Sequence, residues 1–286
     1  MGGFWLLDGG KRGCLNLEIP KKIFTPKTKH LHLKIIMKGT VHTQIENAIA
    51  TITFEHPASN SCDPEMLVEM ADSIKNLTKH SAVKLILLQS GGEKAFCAGA
   101  SITHLSELKD LKTATEFFKG FGRLILEMKA SPKIIVTKVQ GKAVGGGLGI
   151  IAASDYVIAG PNSEIRLSEL FIGIGPLVIA PAVIRKIGVS NFTNLSLEPT
   201  QWKRAQWGKE SGLFNKLVQN HENLNTETNT WVLALTQYSK EALYQIKKTA
   251  WQGTDHWSDL LDANAAETAA LALTEEAQAA FKTFIK

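Results

Sequence analysis

The sequence has little cysteine: Cys14, Cys62 and Cys97 are the three in 286 residues. An odd, scattered set without CxxC spacing argues against a disulfide framework or a cysteine zinc site. A reducing, cytoplasmic setting is the expectation. None of the eight histidines forms an HxxxH pair, so no metal is implied. No apolar run reaches bilayer-spanning length. The N-terminal FWLL is too short for a secretory core, and Asp8 follows it at once. No Lys-Ser/Thr follows the glycines near residue 145, which excludes a nucleotide P-loop.

Beyond residue 36 the chain also lacks net charge. Residues 1–36 carry seven basic and two acidic residues, which accounts for the whole net charge of +5. The balanced remainder argues against a nucleic-acid surface, because neutralising phosphates needs clustered Lys and Arg. The first 36 residues show no sustained periodicity and read as a flexible basic extension. Met37 is the expected natural start, with a targeting peptide as the rival reading. Hydrophobic residues make up 44% of the chain and charged residues 21%, ample for a buried core.

From Met37 onward the signals alternate. AIATITFEHP reads as a strand stopped by Pro57. Asp63 and Pro64 open a helix whose apolar residues are Met66, Leu67, Met70, Ile74 and Leu77. VKLILLQSG reads as a buried strand, LKTATEFFKGFGRLILEMKAS as an amphipathic helix and KIIVTKVQG as a strand. A helix begins at VGGGLGIIAASD, and two short strands flank Pro161–Asn162. This alternation predicts an α/β fold. After about residue 198 the strand signals fade and helices follow.

Three segments carry candidate chemistry. In GGEKAFCAGASITHL, the small residues Ala98, Gly99 and Ala100 let a ligand approach the backbone. In KVQGKAVGGGLGIIAASD, glycines between a strand and a helix expose unpaired N–H groups suited to an anion. In EIRLSELFIGIGP, strand alternation puts Glu169 on the apolar side with Ile165 and Leu167. A desolvated carboxylate there is raised toward proton-transfer range. Taken singly, each segment also reads as ordinary structure: a strand-to-helix turn, a helix-packing glycine run, a salt-bridged glutamate at a strand end. Cys97 has no base placed beside it by sequence. His104 reads as solvated, Asp155 as a structural anchor, and Trp202 and Trp207 as packing or subunit contacts.

Together the three segments resemble the signatures of the enoyl-CoA hydratase/isomerase (crotonase) superfamily: KAFCAGASI against KAFCAGADI, QGKAVGGGLGIIAASDYVIA against the second, LSELFIGIGP against the third. The resemblance runs from about Met37 to the C-terminus. It implies a crotonase-like spiral core of β-β-α turns over 37–197, holding an acyl-CoA site. It further implies a helical C-terminal oligomerisation region over 198–286 and a homotrimer or hexamer. Carried over by motif, the oxyanion hole falls on the backbone N–H groups of Ala100 and Gly146, with Gly145 beside it. Coenzyme A contacts fall on Ala98, Ala100, Ser101 and Ile102, and the catalytic carboxylate on Glu169. Coenzyme A is part of the substrate, so no separate cofactor is implied.

Two departures matter. Hydratases of the family carry a first catalytic glutamate three residues after the middle glycine; here that position is Gly149. The family's GxGG run after the proline is replaced by Leu177–Val178–Ile179–Ala180. One glutamate suffices to carry a proton between C2 and C4, whereas adding water calls for a carboxylate pair. The expectation is therefore double-bond isomerisation, with hydration or decarboxylation as alternatives. A binding-only relative, for acyl-CoA or RNA, is the non-enzyme alternative.

Overall fold

The computed structural model describes residues 38–284, so the expected N-terminal extension lies outside the described residues. The described chain opens with a hairpin, β1 (Thr40–Glu46) against β2 (Ile49–Glu55). Its turn puts Asn47 and Ala48 at φ 50° and 63°. Positive φ at both central residues matches the twist of a two-residue hairpin. Helix α1 (Pro64–Thr78) follows, and the Asp63 carboxylate accepts from the Met66 N–H at 2.7 Å. The five apolar residues expected on its inner face are buried.

Three passes of the chain then repeat one scheme. The first is β3 (Leu85–Ser90), β4 (Ala95–Cys97), α2 (Ile102–Glu107) and α3 (Leu111–Ala130). The second is β5 (Ile134–Val139), β6 (Lys142–Val144) and α4 (Gly146–Ala152). The third is β7 (Tyr156–Ala159), β8 (Glu164–Arg166), a 3₁₀ turn over Glu169–Ile172 and α5 (Ala180–Leu197). In each pass the first strand joins a large sheet and the second a small one. Counting β9 (Lys203–Arg204) and β10 (Lys216–Leu217) from later in the chain, the large sheet runs β1-β2-β3-β5-β7-β10 and the small one β4-β6-β8-β9. Strands β2, β3, β5 and β7 pair in parallel. Parallel strands are normally covered on both faces, and β3 and β5 are buried almost throughout. This is the spiral of β-β-α turns expected of the sequence.

The region after residue 198 is not purely helical. It contains β9 (Lys203–Arg204) and β10 (Lys216–Leu217), which close an edge of each sheet, with α6 (Ala205–Glu210) between them. Two-residue strands leave no periodicity to read, and their pairing is set by the strands already in place. The remaining helices are α7 (Leu224–Leu235), α8 (Lys240–Ala250), α9 (Trp257–Ala272) and α10 (Glu275–Thr283).

A buried ion pair fastens α8 to the spiral. Lys247 Nζ lies 2.9 Å from Asp155 Oδ2 and also donates to the Met128 and Lys133 carbonyls. Asp155 further accepts from the Ile135 N–H and the Trp251 indole, each at 2.8 Å. With so many partners the pair is satisfied, which is the condition for burying charge at all. Asp155 is thus the structural anchor the sequence suggested. Trp207 packs on the core that also holds the buried Leu213 and Phe214, while Trp202 lies under Lys142 and Arg166.

Candidate active site

The end of β4 and the start of α4 meet backbone to backbone. A β-carbon on Gly99 would lie 2.9 Å from the Val144 carbonyl oxygen and 3.5 Å from the Gly146 nitrogen. The 98–101 segment is braced by the loop before α1. Ala98 N–H donates to the Ser59 carbonyl, Cys62 N–H to Gly99, and Ser101 N–H to Cys62. The Gly99 N–H faces Cys97 Sγ at 3.4 Å, so the N–H groups on either side of Ala100 are taken. Its own N–H has no acceptor among the described residues. Gly146 is the first residue of α4, so its N–H has no intrahelical partner either. Both residues line one cavity.

That cavity spans about 550 Å³, part of it open to solvent. Ala98, Ala100, Ile102, Gly145, Gly146 and Glu169 all line it. Ser101 does not: its hydroxyl sits 2.9 Å from His104 Nδ1 and its N–H is taken by Cys62. His104 accordingly serves the loop, near the face of Phe117. Most of the rest of the wall is apolar, with Phe118 and Phe121 from α3, Ile172 and Ile174 at and just past the 3₁₀ turn, and Val178 and Ile179 before α5; Ser168 also lines it. Thr268 reaches it from α9. The sequence singled out Val178 and Ile179 only as part of a replaced run and did not single out Phe118, Phe121 or Thr268, because on a helix face a cavity wall and a core contact have the same spacing.

Glu169 corrects one expectation. It does not continue a strand with Ile165 and Leu167; β8 stops at Arg166, and Glu169 begins the 3₁₀ turn. The partner strand β6 ends at Val144, and Gly145 then leaves the extended region at φ 52°, so no ladder remains for residues beyond 166. The carboxylate is desolvated nonetheless. Its Oε2 is occluded and has no hydrogen-bond partner, while Oε1 stands against Gly145. Burial pushes its pKa up to about 7, opposed by the Glu169 and Ser168 N–H groups and the Arg166 charge.

Gly149 is more than a missing side chain. A β-carbon there would fall 2.3 Å from Ile179 Cγ2 and 2.7 Å from Ile179 Cβ. Ile179 is buried and fills that place on the cavity wall. Cys97 Sγ lies 3.6 Å from Cys62 Sγ, both side chains fully buried. Among the described residues no group of His, Cys, Asp or Glu is arranged to hold a metal ion. No helix among them is long and apolar enough to cross a membrane.

The enoyl-CoA hydratase/isomerase family model matches residues 44–284, and this chain belongs to that family of enzymes. It is 27% identical over 180 residues to the bacillaene synthase dehydratase of Bacillus subtilis, covering 62% of this chain and 69% of that protein. A short-chain-enoyl-CoA hydratase of Clostridium acetobutylicum is 27% identical over 182 residues, 63% of this chain and 69% of that one. Among solved structures, an enoyl-CoA hydratase from Bacillus halodurans superposes with a TM-score of 0.79 at 24% identity. That match covers 85% of this chain and 99% of the other, and supports the fold.

Proposed function

We propose that this chain shifts the double bond of a 3-enoyl-CoA thioester to the 2-position, with Glu169 as its acid/base. The observation that carries the reading is the convergence on one cavity of a desolvated carboxylate, whose Oε2 has no hydrogen-bond partner, and two backbone N–H groups without acceptors. The thioester carbonyl oxygen is taken to sit between the N–H groups of Ala100 and Gly146. Glu169 removes a proton from C2, and the electron pair delocalises toward that oxygen as a dienolate. One such donor is typically worth ~3–4 kcal/mol to the developing oxyanion. Glu169 then returns the proton to C4, which leaves the double bond between C2 and C3. Atoms balance, and no water enters.

The apolar wall fits a hydrocarbon acyl chain. Ala98, Ala100 and Ile102 are assigned to the pantetheine and adenine end, with Ser101 supporting that loop. The reading includes coenzyme A as part of the substrate, no resident cofactor and a cytoplasmic setting. It also includes a homotrimer or paired trimers, which would cover exposed apolar residues such as Leu233 and Ile246.

The relatives' names favour hydration as a second reading. Against it stands Gly149, where a second carboxylate has neither a side chain nor room. Incubation with 3-enoyl-CoA and separately with 2-enoyl-CoA tests the proposal. Conversion of the first to 2-enoyl-CoA is expected. Rapid hydration of the second without any shift of the first would overturn it.

A further inference from the structure

Ile179 and Gly149 are fitted to one another. The Ile179 side chain occupies the volume into which any residue at 149 must project. It cannot swing aside like the end of a flexible chain, because the contacts are to Cβ and a β-branched methyl. Its backbone is fixed as well. It is the residue before α5, where Ala180 N–H donates to the Pro176 carbonyl and Val183 N–H to that of Ile179. Gly149 does not reach the cavity, whereas Ile179 lines it. An aliphatic surface therefore stands where α4 could have presented a polar group.

We propose that Ile179 is the residue that decides the reaction's outcome, holding the site to proton transfer by excluding both a second carboxylate and an ordered water from this wall. The inference rests on the single-glutamate reading above. Hydration of a 2-enoyl thioester places the oxygen of water on C3 and a proton on C2, with nothing leaving. That addition needs a water held and deprotonated beside C3. An aliphatic wall offers water no hydrogen-bond partner, and a site that excludes water suppresses that side reaction. The two departures from the family pattern, at 149 and at 177–180, are then one change seen at two places in the chain.

The experiment compares the full-length wild type, Ile179→Ala, Gly149→Glu and the double variant Gly149→Glu/Ile179→Gly. Each is incubated with 3-hexenoyl-CoA and with 2-hexenoyl-CoA, and 2-enoyl and 3-hydroxyacyl products are separated by mass spectrometry. The wild type is expected to isomerise with little hydrated product. Ile179→Ala raises the ratio of hydration to isomerisation ~3-fold or more as water gains the wall. The double variant raises hydration at least ~10-fold, a tenth of the ~100-fold that a well-placed acid/base contributes at the low end. Gly149→Glu alone gains none, since Ile179 still fills the place. Absence of isomerisation by the wild type would sink the single-glutamate reading and this inference with it. Isomerisation by the wild type, with no rise in hydrated product from either Ile179 variant, would overturn the role of Ile179 alone. Should the double variant fail to fold, Ile179→Ala decides.

Discussion

The Glu169 carboxylate rests directly on the backbone of Gly145: a β-carbon on Gly145 would lie 2.6 Å from Glu169 Oε1. Gly145 also has φ 52°, a region L-residues rarely adopt. The glycine before the proposed oxyanion donor thus sets the chain's direction into α4 and leaves space for the base. Gly145→Ala should strain the backbone by about 1–3 kcal/mol and push the carboxylate out of line. A ~100-fold fall in kcat is expected from a displacement of that kind. Isomerase assays with a melting curve on the same variant check it; wild-type kcat would show that the contact does not position the base.

Removing the charge from Glu169 while keeping its shape isolates its chemistry. Glu169→Gln should lower turnover by ~100-fold or more and leave acyl-CoA affinity nearly unchanged. Calorimetric titration with a saturated acyl-CoA, alongside steady-state rates, separates the two. Retained turnover removes Glu169 from the mechanism.

The pH dependence follows from the same group. With a pKa of about 7 in the free enzyme, Glu169 is a competent base only when ionised. The kcat/KM for isomerisation should fall ~tenfold per unit below that value and level off above it. A flat profile from mildly acidic to mildly alkaline pH would contradict the assignment.

Stability should move with pH in the opposite sense. The Glu169 pKa is raised on folding, so the folded chain holds a proton that the unfolded chain gives up. Its stabilising contribution is complete below the unfolded carboxyl range, near ~4.3, and declines as pH rises through about 7. The loss is on the order of 3 kcal/mol. Glu169→Gln removes this dependence, so the variant should melt higher than the wild type in mildly alkaline buffer. Only near or below the unfolded carboxyl range, at pH ~4, should the two melt nearly together. Scanning calorimetry of both proteins at each pH is the check.

Away from the site, Asp155 is expected to be a stability residue. Asp155→Ala would leave the buried Lys247 ammonium with carbonyl partners and no counter-charge. A loss of ~3–5 kcal/mol is typical of breaking one side of a buried pair. Replacing both, as Asp155→Ala/Lys247→Met, should recover part of that loss. Denaturant melts of the two variants test this, and equal stability of wild type and Asp155→Ala would refute it.

Much of this was legible from local pattern. Asp63 and Pro64 announced α1, the apolar runs at 85–88 and 134–136 announced central strands, and the 145–147 glycines announced the start of α4. These are short-range signals, in which capping, periodicity and backbone freedom act within a few residues. The desolvation of the half-buried Glu169 at its carboxylate was also anticipated, although by way of a strand alternation that stops at Arg166. The carboxylate is desolvated by packing against Gly145 and the cavity wall, and the alternation pointed to the same side for a reason that does not hold.

Short-range pattern was thus enough for the succession of strands and helices, for the two glycine-rich backbone segments and for singling out Glu169. The resemblance implied that Ala100, Gly146 and Glu169 belong to one site, and the fold puts all three on one cavity. The tertiary structure alone decided that Phe118, Phe121 and Thr268 close that cavity, and that Ile179 fills the place of a side chain at 149. The reason is physical. Propensity and capping act along the chain, whereas a cavity is the space left between segments spread from Ala98 to Thr268, and its shape depends on close packing across that span.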